Sequence, residues 1–289
     1  MAAAKRPSPP ALPQGDQVFV VTGCASGIGR HIAAELVTRE KYVLLTDINL
    51  KALDTLVREL KQVPGYDSSR LVHLKLDVTK PTQFDQALKL AINTWGRVDV
   101  MMNVAGYLLP GYVHEVPASE VDRHFDINTK GVAHGTQSAA RVMVEAGHGH
   151  IINIASLAAL APIPGIALYS ASKFAVRGFS LAAGMELARH GVKVTVVCPD
   201  AVRTPMLDLQ KDYDEAAMTF SGGKLLTVDD VARVIFDRVL PKKPREVHIP
   251  YHRGLMARLG NEFPFMADLL SSTLRKQGRK KQAKYEKGS

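Results

Sequence analysis

Cysteine is nearly missing from this chain: of 289 residues, only Cys24 and Cys198 carry a thiol. A chain of this length buries enough core to need no disulfide staple. A buried, unreactive role is expected for both thiols. Also missing is a continuous apolar stretch at the N-terminus. "MAAAKRPSPPALPQ" is rich in Ala and Pro, reads as a disordered arm over residues 1–14, and is not a secretory leader. Together these absences point to a reducing, cytoplasmic setting. Charge is absent too, between Glu145 and Lys173. The uncharged run "IINIASLAALAPIPGIALYSAS" is long enough to span a bilayer. However, Pro162, Pro164 and Gly165 would break a helix in its middle, and Asn153 and Ser156 put polar groups on it. It reads instead as a buried strand, a tight loop and the start of a helix.

Acidic residues are scarce only at the ends. The net charge is +9, but residues 275–289 hold seven basic residues and one acid, and the N-terminal arm adds Lys5 and Arg6. The part between is close to neutral, so a basic nucleic-acid-binding surface is not expected.

What the chain does contain is alternation. Apolar runs at 18–21, 42–46, 71–76, 98–104, 150–155, 192–197 and 246–249 read as strands buried on both faces. Helical patterns fall between them, at 27–40, 50–62, 81–95, 118–146, 169–190 and 227–240, the last opened by the capping signal "TVDD". This order predicts an α/β fold: a Rossmann-like, doubly wound, mostly parallel seven-stranded sheet with helices on both faces. One domain is expected over 15–250, followed by a helical extension over 251–289 that ends in the basic tail.

The first strand runs into "TGCASGIG", and a helix pattern begins at once. Thr22, Gly23, Gly27 and Gly29 suit a tight turn under a pyrophosphate, with the helix N-terminus aimed at the anion. Asp47 ends the second strand, near the spacing at which an acid meets the ribose hydroxyls; it would repel a 2′-phosphate, so NAD is predicted over NADP. The nearest cation is Arg30. A role for Asp47 as a helix cap is compatible with this. Asp77, after the third strand, reads equally as a contact to the adenine or as a turn residue. Asn103 to Gly106, "NVAG", end the fourth strand, and Gly106 suggests close approach of the backbone to a ligand.

The uncharged run ends in "YSASK". Tyr169 and Lys173 sit one helical turn apart on one face. An ammonium beside a phenol favours the phenolate, so Lys173 is expected to draw the Tyr169 pKa down and fit it for proton exchange with an alcohol or ketone oxygen. Ser156, at the end of the fifth strand, is placed to hold that oxygen; its alternative role is a strand-end cap. The segment "IASLA" lacks the glycine-flanked elbow of a serine hydrolase.

In the order "TGCASGIG", "DV" at 77–78, "NVAG", "FDINTKG", "IAS", "YSASK" and "CPDAVRTPM", the chain resembles the short-chain dehydrogenase/reductase family over roughly residues 16–250. The resemblance implies a tetrad. In it Asn128 holds a water through its helix backbone, Ser156 orients the substrate, Tyr169 is the acid–base, and Lys173 binds the nicotinamide ribose and tunes Tyr169. It also implies an NAD site built from Thr22, Gly23, Ser26, Gly27, Ile28, Gly29, Asp47, Asp77, Val78, Asn103, Ala105, Gly106, Pro199, Val202 and Thr204, with no metal. Two positions depart from the family pattern: Val104 stands where the family has a second Asn, and Asp200 where it has Gly. The second departure bears on how Thr204 approaches the nicotinamide.

Residues 204–223 break the alternation and read as a lid. Met206, Leu207, Leu209, Met218 and Phe220, with Leu108, Leu109, Tyr112, Leu157 and Ile163, suggest an apolar pocket for a steroid, retinoid, fatty or aromatic alcohol or ketone. Ordinary packing of the lid would give the same pattern. Apolar residues at helical spacing around Pro264, then the basic tail, read either as contact with an anionic membrane or as a helix that closes the site or a subunit interface. The resemblance implies a homodimer or homotetramer through the helices at 118–146 and 169–190, where Gly178 and Gly184 would permit close approach.

Overall fold

Residues 12–286 are described by a computed structural model; the side chains of residues 264 and 266–270 are outside the description. Residues 1–11, most of the expected arm, and 287–289, the end of the tail, lie outside the described residues. The last residues of the arm already join the fold: Leu12 packs against the core, and the Asp16 N–H donates to the Pro13 carbonyl at 3.1 Å.

Seven strands form one sheet: β1 (Val18–Thr22), β2 (Tyr42–Asp47), β3 (Leu71–Lys75), β4 (Val100–Asn103), β5 (Gly149–Ile154), β6 (Val192–Pro199) and β7 (Glu246–Ile249). They lie in the order β3-β2-β1-β4-β5-β6-β7, and every pairing is parallel. The helices are α1 (Gly27–Thr38), α2 (Leu50–Leu60), α3 (Pro81–Trp95), α4 (Ser119–His124), α5 (Gly131–Ala146), α6 (Ala167–Leu187), α7 (Pro205–Asp208), α8 (Val228–Val234), α9 (Leu240–Lys242), α10 (Tyr251–Glu262) and α11 (Pro264–Glu286).

The period of two along a strand sorts side chains to opposite faces. Phe19, Val21, Val43, Leu45 and Met102 join the core beneath α1, α2 and α8, while Val18, Val20, Leu44 and Met101 join the one beneath α3 and α5. Burial on both faces explains why these strands read as unbroken apolar runs. Chain order reverses between β1 and β4, which opens a crevice at the carboxyl ends of those strands.

Three local outcomes differ from the sequence reading. The helix expected over 118–146 is interrupted: Phe125–Lys130, between α4 and α5, is a π-helical turn that contains Asn128. The lid is a series of short pieces, α7 followed by 3₁₀ turns at Leu209–Asp212 and Asp214–Ser221. The basic tail is helical as far as Glu286 and lies on the lid. No helix among the described residues is long and apolar enough to cross a membrane.

An ion cluster ties the end of the sheet to its helices. The two Glu246 carboxylate oxygens accept from Arg177 of α6 at 2.7 and 3.3 Å, from His248 at 2.9 Å, and from Arg258 of α10. Asp200 adds a second tie, to Arg253 at 2.5 Å. The Asp200 N–H donates to the Ile249 carbonyl at 2.8 Å, so the turn after β6 keeps its course with Asp in place of Gly.

Candidate active site

The crevice is assembled by close backbone approach. At Gly23 (φ 73°) a Cβ would lie 2.7 Å from the Cα of Ala105, so β1 and β4 deliver their loops into contact only with glycine there. A Cβ on Gly29 would meet the Gly23 carbonyl oxygen at 2.0 Å, which seats the first turn of α1 directly on the loop. Gly27 (φ 55°) lies under Thr204, whose Cγ2 would be 3.3 Å from an added Cβ. Thr204 therefore reaches the loop despite Asp200. Ser26, the N-cap residue of α1, makes no side-chain bond to the helix, and no acid lies in the first turn. The amides at Ile28 and Gly29 thus begin a helix with an uncapped, acid-free N-terminus, a cradle that fits a pyrophosphate.

The other predicted contacts divide into those at the crevice and those beneath it. Asp47 accepts the Ala25 N–H on Oδ2 at 2.9 Å and the Asn49 N–H on Oδ1 at 2.8 Å, fixing its carboxylate beside the glycine loop. The cap of α2 is Asn49, not Asp47. Arg30 is held by Glu59 at 2.5 Å. Asp77 takes the Thr79 N–H and hydroxyl on Oδ1 at 2.9 and 2.8 Å, so the turn role is realised. Val78 packs on Gly131, just past the π turn, where an added Cβ would meet it at 2.9 Å. Thr22 is buried and braces the β4 loop, its Oγ1 accepting from the Val104 and Ala105 N–H groups at 3.0 and 3.3 Å. Asn103 is buried as well: its amide donates to Asn153 Oδ1 at 2.8 Å, inside a network with Thr136 and Ser180. The side chain of Asn103 is committed to the interior, which leaves only its backbone at the crevice. Pro199 ends β6, and Val202 follows it, 8% exposed, in the core beneath α1, α2 and α8.

The four predicted catalytic residues converge. Ser156 stands just past β5, its Oγ accepting the Ala158 N–H at 3.1 Å, near enough to the Tyr169 phenol to favour its ionised form. Lys173 lies one turn along α6 from Tyr169, its Nζ 5.5 Å from the centre of the phenol ring and donating to the Ile154 carbonyl at 3.0 Å. Asn128 is clamped on both sides. Its Oδ1 accepts the Tyr107 N–H at 2.7 Å, and its Nδ2 donates to the Tyr107 carbonyl and to Ser172 Oγ, both at 2.9 Å. Ser172 in turn donates to the Tyr169 carbonyl at 2.7 Å, so the π turn is locked to the helix that carries Tyr169 and Lys173. A π turn at a functional site is a recurring device. A Cβ on Gly106 would lie 3.4 Å from Asn128 Oδ1, 3.6 Å from Lys173 Nζ and 3.8 Å from Met206 Cε, which marks where these segments meet.

Exposure separates two roles. Ser156 and Tyr169 are half-buried and keep surface open, whereas Asn128 and Lys173 are closed off at 0% and 3% exposure. The pair assigned to the substrate keeps some exposure, and the pair assigned to support keeps almost none.

Electrostatics correct the sequence reading. Burial pushes the Tyr169 phenol up to about 12, while Ser156 works the other way. Burial also brings Lys173 down to about 8. The lysine was expected to lower the phenol pKa. Desolvation is the largest cause for both groups, and the hydrogen bond of the ammonium goes to a main-chain carbonyl. Both cysteines are buried with thiols pushed up by burial, Cys198 to about 12, in keeping with an inert role.

Sequence reasoning missed the residues that hold the loop at 107–109. His124 is fully buried: Nδ1 bonds the Glu120 carbonyl at 2.8 Å, and Nε2 accepts the Leu109 N–H at 3.3 Å. Burial pulls its pKa down, consistent with a neutral ring in both bonds. Glu120 accepts the Tyr107 hydroxyl at 2.9 Å. These bonds pin the loop at 107–109 above the site. Of the expected pocket residues, Leu108, Leu157, Leu207 and Phe220 are buried, but Leu209 is 43% exposed and points outward.

Comparison with known proteins agrees with this geometry. Residues 17–214 match the family model described as short chain dehydrogenase. Two oxidoreductases of Staphylococcus aureus, both uncharacterized, are similar to the chain: one is 34% identical over 76% of this chain and 89% of its own length, the other 36% identical over 81% and 94%. Among solved structures, a short chain dehydrogenase/reductase from Burkholderia phymatum in complex with NAD superposes with a TM-score of 0.77 at 26% identity, covering 87% of this chain and 95% of that one. ElxO with NADP bound gives 0.70 at 25% identity, covering 81% and 96%. With the matched family model spanning the glycine loop, the π turn and the Ser–Tyr–Lys site alike, this chain belongs to the short-chain dehydrogenase/reductase family of oxidoreductases.

Proposed function

We propose that the protein is an NAD-dependent dehydrogenase that interconverts a hydrophobic alcohol and its ketone or aldehyde. The observation that carries this is the half-buried Ser156–Tyr169 pair backed by the closed, buried Lys173 near the β1–β4 crevice. The Ser156 hydroxyl holds the substrate oxygen, and the Tyr169 phenol gives or takes its proton. A bound nicotinamide would supply the acceptor or donor of the hydride. Lys173 carries positive charge beneath that position, and Asn128 fixes the π turn so that its backbone is free to hold a water. The glycine loop cradles the pyrophosphate, and Asp47 takes the adenosine ribose hydroxyls. The carboxylate of Asp47, with Arg30 already paired to Glu59, favours NAD over NADP.

Buried Leu108, Leu157, Leu207 and Phe220 support an apolar substrate. The test is formation of NADH over a panel of secondary alcohols. Catalytic efficiency should rise about 10-fold for each apolar group of one to two carbons added, up to the size of the pocket. A flat or falling series contradicts the substrate class.

Lys173 gives the reaction a signature in pH. Its ammonium is lost as pH rises through about 8, so kcat/KM, which reports the free enzyme, should fall above that point. Stability should move the other way. The unfolded chain holds this proton up to 10.5 and the folded one only to about 8, so stability increases with pH across that window. A pH–rate profile beside a pH–melting series checks both signs; a rate that stays level into the ordinary lysine range contradicts the role.

A homodimer or homotetramer through α4, α5 and α6 is proposed as well. Gly178 is open, with nothing within 4 Å of an added Cβ, and suits close approach of a second copy. Gly184 does not, since it packs on Val194 of β6 within its own chain. The docking of α11 on the lid supports the site-closing role of the tail over lipid contact.

A further inference from the structure

The lid is built from short turns, and short turns leave main-chain carbonyls without partners. Around the turn at Leu209–Asp212 the local bonds are few, with the Tyr213 N–H on the Gln210 carbonyl at 3.3 Å and the Ala216 N–H on that of Tyr213 at 3.0 Å, and a further donor to these carbonyls comes from the other end of the chain. The Gln282 side chain of α11, 5% exposed, places its Nε2 at 3.0 Å from the Gln210 carbonyl, 3.1 Å from that of Lys211 and 2.8 Å from that of Tyr213. Gln210 is itself buried, at 3% exposure, and carries the contact inward. Its Nε2 donates to the Met206 carbonyl at 3.0 Å, and its Oε1 accepts the Thr219 hydroxyl at 2.9 Å. Met206 is the lid residue that reaches the site, its Cε 3.8 Å from where a Cβ on Gly106 would stand.

Other contacts press the same lid between two backbones. A Cβ on Gly278 of α11 would lie 2.0 Å from the Ala217 carbonyl oxygen, and one on Gly165, in the loop before α6, 1.9 Å from that of Glu215. The Tyr285 hydroxyl donates to Asp208 at 2.6 Å, and its ring lies 5.7 Å from that of the buried Phe220. Arg275 stacks its guanidinium 5.3 Å from the centre of the Tyr112 ring, so α11 touches the opposite pocket wall too.

We propose that Gln282 is a positioning residue for the substrate pocket: by sharing its two amide hydrogens among the carbonyls of Gln210, Lys211 and Tyr213 it fixes Gln210, and through Gln210 it sets Met206 against the catalytic crevice. The C-terminal helix is thereby a wall of the substrate site, whereas the cofactor cradle is built from β1, β2 and β4 and meets the lid at Thr204. The reaction at this pocket rests on the proposed dehydrogenase function; the mechanical claim about the lid does not.

The test uses the full-length protein with Gln282→Met, which keeps length and removes the donors, and Gly278→Ala, which lifts the same helix through backbone contact. Hydrogen exchange of the amides at 205–221 should be about 10-fold faster in both variants, with exchange in β1, β4 and β5 unchanged. NADH affinity, read by its fluorescence, should stay within about twofold, and the KM for the best panel alcohol should rise about fivefold or more while kcat changes less. Unchanged lid exchange in Gln282→Met overturns the proposal. So does exchange that quickens equally through the sheet, which would mean a general loss of stability. Faster lid exchange with an unmoved KM overturns the pocket role. If no alcohol is turned over by the unmodified protein, the dehydrogenase reading fails while the exchange data still decide the lid.

Discussion

Tyr169→Phe should lower kcat by about 10²–10⁴-fold, the range that a positioned acid–base contributes, and leave NADH affinity within about twofold. The substitution removes one oxygen. The ring stays, and with it the packing beside Lys173 at 5.5 Å. The bond from Lys173 to the Ile154 carbonyl also stays, because it does not involve the phenol. Ser156 keeps its place through the Ala158 N–H. Loss of turnover with retained binding therefore isolates proton exchange from assembly of the site. Steady-state kinetics and a fluorescence titration of the same preparation check it. A fall of less than about tenfold would mean that the proton leaves by another group.

Asp47→Asn should turn the dinucleotide preference toward NADP by about 30- to 150-fold, measured as the ratio of dissociation constants for NADH and NADPH. Asn keeps one acceptor, for the Ala25 or the Asn49 N–H, and removes the charge together with the second acceptor. A carboxylate some 4 Å from a phosphate charge repels it by about 4 kcal/mol at an effective dielectric near 20, and salt at this half-open position reduces that to about 2–3 kcal/mol. At about 1.4 kcal/mol per decade, this is the stated range. Arg30 does not offset the repulsion, because Glu59 holds it. A starting preference for NADPH, or a ratio that the substitution leaves unmoved, would contradict the part given to Asp47.

The features that sequence predicted well are local or periodic. Strands buried on both faces read as apolar runs, and the glycines of "TGCASGIG" read as a loop because their spacing answers to backbone geometry alone. Tyr169 and Lys173 could be paired because a helical turn fixes their relation. The features it missed depend on partners distant in the chain. Nothing near Asn128 announces a π turn, which is held by Tyr107 and by Ser172, 44 residues away. The acceptors of Gln282 lie 69 to 72 residues back, so the basic tail could be read only as charge. The pKa directions at Tyr169 and Lys173 follow from burial, which no spacing reports. Leu209 was placed inward by its apolar character, yet the short turns of the lid turn it to solvent. Asp200 departs from the family pattern in sequence, and its partner Arg253 lies on α10, 53 residues on.

In the proposed reaction a carbinol hydrogen and a hydroxyl proton part company at this site, one going to the dinucleotide and the other to Tyr169. It is tested most directly with panel alcohols deuterated at the carbinol carbon, incubated with NAD and the protein, and analysed for the position of the label. Deuterium should appear on the reduced dinucleotide and not in the solvent, and Tyr169→Phe should suppress its transfer. Label released to water, or no transfer from any alcohol while NADH still binds the protein, would contradict the assignment of this site as a dehydrogenase centre.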